Sequence, residues 1–167
     1  MQKITPFLWF DKNCEEAVNY YVKVFNEAPG SSKNSKVNFL QRYENGIETP
    51  GAEEMEGKVL TTKFELAGQK FQALDGGPIF KFNESISLMV YCKDQEEVDY
   101  FWEKLSTVPE SEQCGWCKDK FGLSWQIIPS RLGELLSDPD KEKSHKVANA
   151  MLKMHKIVVA DLEKAAE

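Results

Sequence analysis

The chain has 167 residues, a formal net charge of −6 and no cluster of Lys and Arg residues. This length suits one domain or two small fused modules, and 41% hydrophobic residues are enough for a buried core. The acidic balance argues against a nucleic-acid-binding face. No stretch has the length and apolar character of a signal peptide or a membrane span, so we expect a cytoplasmic protein with no membrane partner.

Two stretches of the chain resemble each other: PFLWFDKNCEEAVNYYVKVF from Pro6 and SLMVYCKDQEEVDYFWEKL from Ser87. They align at a constant offset of 81 residues. Each predicts a strand followed by a helix, because Asn13 and Asp94 are good N-caps and apolar residues then recur at helical spacing. The chain therefore contains a repeated module.

A second repeated element closes each half, AGQKFQAL from Ala67 and FGLSWQII from Phe121. Gly68 and Gly122 mark hairpin turns, and a strand follows each glycine. VLTTKFEL supplies the opposing strand in the first half, and the shorter GWCKDKF does so in the second. Each half therefore predicts a strand, a helix and a run of strands.

The pattern changes after residue 129. RLGELLSD predicts a short helix, and a longer helical tail begins at Asp138-Pro139. The apolar stripe of this tail is Val147, Met151, Met154 and Val158. We divide the chain into a first module over 1–80, a second over 81–130 and a C-terminal helical extension over 131–167. The extension docks either on the domain or on a partner subunit.

The repeat and its closing hairpins carry a resemblance to a known family. It rests on KITPFLWFD, EEAVNYYVKVF, ALDGGPIFKFNESIS, QEEVDYFWEKL, CGWCKDKFGLSWQIIP and LLSDPDKEKSHKVANAMLKMHKI. These resemble the PhnB-like, 3-demethylubiquinone 3-methyltransferase-like branch of the vicinal oxygen chelate superfamily, also called the glyoxalase/bleomycin-resistance fold. The resemblance implies an α+β fold in which two βαβββ modules form curved mixed sheets around a cavity. It also implies a homodimer, and it leaves the segment from about 26 to 58 without a counterpart.

Metal-using members of this superfamily take their ligands early on the first strand and on the last strand of each module. Carried over through the repeat, these positions are Pro6, Ser87, Gln72 and Gln126. Proline offers no side-chain ligand, and hydroxyl or amide groups without carboxylate or imidazole bind divalent metals weakly. His145 and His155 both lie in the tail, where we expect exposed side chains. We therefore expect no metal and no cofactor; a metal site shared with a partner subunit is the alternative.

Strand alternation divides the strand residues between the core and the cavity. The residues expected in the core are Phe7, Trp9, Phe71, Ile86, Leu88, Val90 and Trp125. The residues expected to face the cavity are Pro6, Leu8, Phe10, Gln72, Ser87, Met89, Tyr91 and Gln126.

The candidate ligand-binding residues are the polar and aromatic groups near this cavity: Gln72, Gln126, Ser87, Tyr91, Lys81, Asn83 and Trp116, with Phe80 as a further apolar wall. The two glutamines are the most informative, because a buried amide must bond either a ligand or nearby backbone. Asp75 is interpreted as a turn residue, and Asn83 as a ligand contact or a turn residue. We find no Ser-His-Asp set and no acid–base carboxylate pair, so catalytic residues stay unassigned.

Cys114 and Cys117 have the CxxC spacing of redox and zinc sites. A redox pair needs a helix N-terminus to lower the pKa of its first thiol, but the residues that follow are strand-like. A zinc cage needs two further ligands, which Cys14 and Cys92 do not offer as a spaced pair. We interpret the pair as structural thiols and all four cysteines as reduced.

Two functions stay open. The first is binding of a small molecule of unassigned identity in a metal-free cavity. The second is a superfamily enzyme, a lyase, isomerase, dioxygenase or group transferase, acting on a small metabolite. The methyltransferase name gains no support, because LDGGPIF is followed by a strand-like run instead of the helix of an adenosylmethionine-binding unit.

Overall fold

The computed structural model describes residues 2–44 and 52–167. The chain forms two compact units, Met1–Phe82 and Asn83–Glu167, and each is described by itself. Among the described residues, no helix has both the length and the apolar character needed to cross a bilayer.

The first unit is a strand–helix–three-strand module. Its elements are β1 Phe7–Phe10, α1 Cys14–Glu27, β2 Lys36–Arg42, a short 3-10 helix Ala52–Met55, β3 Val59–Leu66 and β4 Gln69–Asp75. The sheet order is β1-β4-β3-β2, with β1 parallel to β4 and the other pairs antiparallel. Ala67 and Gly68 both have positive φ and form the tight turn between β3 and β4, which confirms the predicted hairpin.

The segment from about 26 to 58, which lacks a counterpart in the resemblance, contributes β2 to the edge of this sheet. The short 3-10 helix Ala52–Met55 precedes β3, and residues 45–51 lie outside the described part of the chain.

The start of α1 is fixed by a carboxylate from another strand. Asn13 is the N-cap residue, as predicted, but its side chain makes no capping hydrogen bond. Asp75 Oδ1 instead accepts the Cys14 N–H at 2.8 Å, and Oδ2 accepts the Val59 N–H at 2.9 Å. The interpretation of Asp75 as a turn residue was wrong, because it ends β4 and is 1% exposed.

The second unit begins with a similar module and continues into three helices. Its elements are β5 Leu88–Cys92, α2 Gln95–Leu105, a 3-10 helix Pro109–Ser111, β6 Trp116–Lys118, β7 Ser124–Pro129, α3 Ser130–Leu136, α4 Lys141–Met151 and α5 Val159–Ala165. The sheet order is β5-β7-β6, with β5 parallel to β7 and β6 antiparallel to it. The expected α+β class, with two mixed sheets and a C-terminal helical tail, is confirmed. The second module has one strand fewer than βαβββ, because the 3-10 helix occupies the chain between α2 and β6.

Asp94 is the N-cap of α2, as predicted. Asp94 Oδ1 accepts the Glu97 N–H at 3.1 Å, and Glu97 Oε2 accepts the Lys93 N–H at 2.7 Å. These reciprocal bonds satisfy backbone donors that a helix N-terminus leaves without partners.

The tail forms two helices after α3 where a single long one was predicted. Asp140 caps α4 by accepting the Glu142 N–H at 2.9 Å, and α4 ends at Met151. The predicted stripe was therefore wrong beyond Met151, since Met154 and Val158 lie in the turn before α5. Leu132, Leu135, Val147, Ile157 and Leu162 instead form the buried cluster of the tail. His145 and His155 are exposed, as expected.

The tail docks on the second module, one of the two placements expected. The Cys114 N–H donates to Met154 O and the Gly115 N–H to His155 O, both at 2.8 Å. Gln95 accepts the Val159 N–H at 2.8 Å through its side-chain oxygen. These bonds join the tail to the β6 hairpin and to α2.

Candidate functional site

The strand pairing corrects the predicted faces of β1. Gln72 lies opposite Phe7 in the first sheet, and Gln126 lies opposite Met89 in the second. The first strands are therefore related by an offset of 82 residues, while the helices keep the offset of 81. A one-residue shift exchanges the two faces of a strand.

Burial follows this shift. Leu8 and Phe10 are buried and Phe7 is 53% exposed, the reverse of the prediction. The prediction for Ile86 was also wrong: it precedes β5 and is 74% exposed. Core positions for Val90, Phe71 and Trp125 are confirmed.

The shift also changes which residue of the first module corresponds to Ser87. With an offset of 82 it is Thr5, not Pro6, so both modules carry a hydroxyl near their glutamine. Thr5 and Gln72 line a polar pocket of about 390 Å³ in the first unit, together with Lys63 and Lys70. The sequence contains this signal, but the assumption of one constant offset hides Thr5.

In the second unit two of the predicted residues, Ser87 and Gln126, are in direct contact. Gln126 Nε2 donates to Ser87 Oγ at 2.8 Å across β5 and β7. Gln126 is half-buried, and its cross-strand neighbours are Met89 on β5 and Trp116 on β6. The amide therefore lies between an apolar and an aromatic side chain on one face of the sheet.

This face is one wall of a groove of about 800 Å³. The sheet contributes Met89, Tyr91, Trp116, Gln126 and Ile128. The opposite wall comes from the tail, with Leu132 and Leu136 of α3, Met151 of α4 and the adjoining Leu152. The sequence does not predict this second wall, because the packing of the tail depends on contacts with the distant β6 hairpin.

The groove carries little charge. Glu84 is the one charged side chain among the described residues that line it, and it is paired with Lys118. A hydrogen bond from Lys118 holds the pKa of the Glu84 carboxyl below its usual range. The other polar lining groups are neutral side chains, chiefly Gln126 and Gln113. Such a lining favours apolar ligands with a few polar contacts.

The remaining candidates lie elsewhere. Lys81 and Asn83 are exposed in the segment between β4 and β5 and do not line the groove. Asn83 Oδ1 accepts the Ser85 N–H at 3.0 Å, a turn contact. Phe80 packs edge-on against Trp9, with ring centroids 5.0 Å apart, in the first unit. Tyr91, Trp116, Gln126 and Ser87 are thus the candidates that the second unit brings together.

The CxxC pair lies on a hairpin. Cys114 and Gly115 have φ of 53° and 85° and form a two-residue turn between Gln113 and Trp116. Cys117 is buried in β6, where burial raises the pKa of its thiol to about 12. A thiol in this state is a poor nucleophile and a poor metal ligand. All four cysteines are free thiols, and the described residues contain no cluster of three metal-binding His, Cys, Asp or Glu side chains.

Trp9 accounts for the first glycine of LDGGPIF, and a positive φ of 79° accounts for the second. The Trp9 Nε1 donates to Gly77 O at 3.0 Å, and a Cβ at Gly76 would overlap the indole ring. Gly76 therefore provides the surface on which this ring packs.

These features define a mixed α+β protein built from a repeated strand–helix–strand module with an apolar groove in its second half. The family model described as 3-demethylubiquinone-9 3-methyltransferase matches residues 2–128. The chain therefore belongs to this family, which includes PhnB proteins. The matched region ends before α3, so the helical wall of the groove lies beyond it.

Solved structures agree with this assignment. A PhnB protein from Bacillus cereus, described by the same family name, is 34% identical with a TM-score of 0.60. The match covers 77% of this chain and 100% of that one. Protein PA1353 from Pseudomonas aeruginosa shares the fold at 16% identity and a TM-score of 0.58, over 77% of this chain and 98% of its own. No curated protein matches the sequence.

Proposed function

We propose that this protein binds a small, mostly apolar molecule in the groove of its second unit. The observation that carries the proposal is the groove itself, about 800 Å³ in volume and walled by the sheet and the tail. Its volume falls in the range of small-molecule sites, and its aromatic and aliphatic lining suits a flat or chain-like apolar ligand. The glyoxalase-type fold that the sequence resembles supports the sheet wall of this groove, since the curved sheets of that fold line a cavity.

The binding is proposed to need no metal. The four positions that correspond to superfamily metal ligands carry Thr5, Gln72, Ser87 and Gln126. These neutral oxygen donors do not fit a divalent metal, and the Gln126 amide is already bonded to Ser87. An enzyme acting on a small metabolite is the alternative function.

The family name describes a methyl transfer, which we do not propose for this chain. Adenosylmethionine binding in a Rossmann-type unit needs a glycine-rich turn between a strand and a helix. The described strand–helix turns, residues 11–13 and 93–94, contain no glycine. The one adjacent glycine pair, at 76 and 77, accommodates Trp9.

Leu152→Glu is expected to weaken binding of the neutral dye Nile red by about tenfold, because a carboxylate would enter an apolar wall. Leu152 is 57% exposed, so the charge should not disturb folding. Dye fluorescence titrations measure the affinity, and thermal denaturation checks that the melting temperature stays within a few degrees.

The matched control for this substitution is Ile79→Glu. Ile79 is 75% exposed and lies in the first unit, outside the groove. It should leave dye binding unchanged. An equal loss in both variants, or no dye binding by the wild type, contradicts the proposal.

Freshly purified, untagged protein is expected to contain far less than one metal ion per chain, because the ligand positions offer only hydroxyl and amide groups. Plasma mass spectrometry measures this, beside a thermal-shift panel of divalent metals. Near-stoichiometric metal that disappears in the Gln72→Ala/Gln126→Ala double variant would instead favour metal-dependent catalysis.

A further inference from the structure

We propose that the Ser87–Gln126 pair selects ligands whose polar group is neutral and both donates and accepts a hydrogen bond. A hydroxyl, an enol or a carboxamide on an apolar ring system has this chemistry. The inference rests on the proposed function and names the ligand class of the same groove.

The hydrogen-bond inventory of the pair gives this selectivity. Gln126 lines the groove, and its Nε2 donates one of its two hydrogens to Ser87 Oγ at 2.8 Å. The second Nε2 hydrogen is left as a donor and Oε1 as an acceptor. If the amide is turned over, Ser87 donates to the amide oxygen, which keeps a second lone pair as an acceptor, and both amide hydrogens are left as donors. In both orientations the amide, held by Ser87, offers at least one donor and one acceptor.

The charges around the groove work against an anionic ligand. Glu84 lines the groove, while its partner Lys118 does not. A bound carboxylate would lose water without gaining a cation inside the groove, and it would lie in the same groove as the Glu84 carboxylate. A carboxylate also only accepts hydrogen bonds, so the free acceptor of the pair would stay without a donor.

The neighbours of the pair define the rest of the ligand. Met89 and Trp116 flank Gln126 on the same sheet face, and Ile128 follows it along β7. A flat ring placed against Trp116 and Met89 brings a substituent at its edge next to the amide. The ligand class is therefore an aromatic or alicyclic compound with one neutral hydroxyl or carboxamide.

The test compares naphthol, naphthamide and naphthoate, which share one apolar body, by isothermal titration calorimetry at about pH 7. Naphthol and naphthamide are expected to bind about tenfold more tightly than naphthoate. In Ser87→Ala and in Gln126→Met the ratio of the two affinities should fall toward one. The neutral ligands lose their hydrogen bonds to the pair, whereas naphthoate is expected to be weakly bound by it in the wild type.

The matched control is the corresponding pair of the first unit, Thr5→Ala and Gln72→Met, which should keep the tenfold ratio. If naphthoate binds as tightly as naphthol and Leu152→Glu weakens the binding of both, this inference is overturned. That result would still support binding of small molecules in the groove. A ratio that persists in Ser87→Ala and Gln126→Met overturns it as well. If none of the three compounds binds, this inference fails, and the proposed function fails with it if the wild type does not bind Nile red either.

Discussion

Gly76→Ala is expected to destabilise the protein by about 3 kcal/mol. The added methyl group would overlap the indole of Trp9, whose ring is held by its bond to Gly77 O and by its edge contact with Phe80. The ring therefore cannot move aside without losing a hydrogen bond and an aromatic contact. Urea-induced unfolding followed by circular dichroism measures the loss.

Two controls test whether Trp9 is the cause. In Gly133→Ala, in α3, the new methyl group meets no atom within 4 Å outside its own helix backbone and chain neighbours, so the change should be neutral or stabilising by up to about 1 kcal/mol. In a Trp9→Ala background, Gly76→Ala should cost much less, because the overlapping ring is gone. A cost that stays the same without Trp9 contradicts this account.

The sequence predicted the elements that depend on neighbours along the chain. The Asp94 and Glu97 bonds at the start of α2 involve residues three positions apart, and the Ala67-Gly68 turn needs only its own backbone angles. Such signals are local, so a single sequence contains them.

The faces of β1 could not be predicted in the same way. Its four residues, FLWF, are all large and apolar, so alternation gives no preference for one face over the other. The pairing of Phe7 with Gln72 decides which residues are buried, and that pairing depends on contacts 65 residues apart in the chain.

Only part of the candidate site could be predicted, and the reason is similar. The repeat and the family resemblance identified Ser87 and Gln126 as two of four positions, but the hydrogen bond between them depends on the register of β5 against β7. The tail wall depends on the Cys114-Gly115 turn donating to the carbonyls of residues 154 and 155. No periodic pattern in the tail encodes that long-range contact.

Asp75→Asn is expected to destabilise the protein by about 2–3 kcal/mol at about pH 4, although the side-chain volume hardly changes. Each carboxylate oxygen of Asp75 accepts one backbone N–H, from Cys14 and from Val59. Asparagine has a single oxygen, so its amide nitrogen would face the second N–H and leave a buried donor without an acceptor. Loss of this contact should loosen the start of α1 or of β3, as measured by urea unfolding and amide hydrogen exchange.

The size of this effect should depend on pH. Burial raises the pKa of the Asp75 carboxyl, with a smaller increase from Asp11, against the lowering effect of the two N–H bonds and of Lys58. When the pKa of a carboxyl is higher in the folded state than in the unfolded state, where it is about 4, protonation stabilises the fold. This stabilisation is fully present below about pH 4 and is lost as the pH rises through the folded-state pKa. Asparagine does not titrate, whereas a protonated Asp75 carboxyl still has an oxygen opposite each of the two N–H groups. The advantage of the wild type over Asp75→Asn should therefore shrink as the pH is raised above about 4.

Asp138→Asn is the matched control, because Asp138 accepts only one N–H, that of Asp140, at the surface. Asparagine keeps the one oxygen that this bond needs, so the unfolding free energy should stay within about 0.5 kcal/mol of the wild type. If Asp75→Asn behaves like this control, the two N–H bonds do not anchor the module. If its cost instead grows as the pH rises, ionisation of Asp75 stabilises the fold, and the hydrogen bonds outweigh the cost of burying its charge.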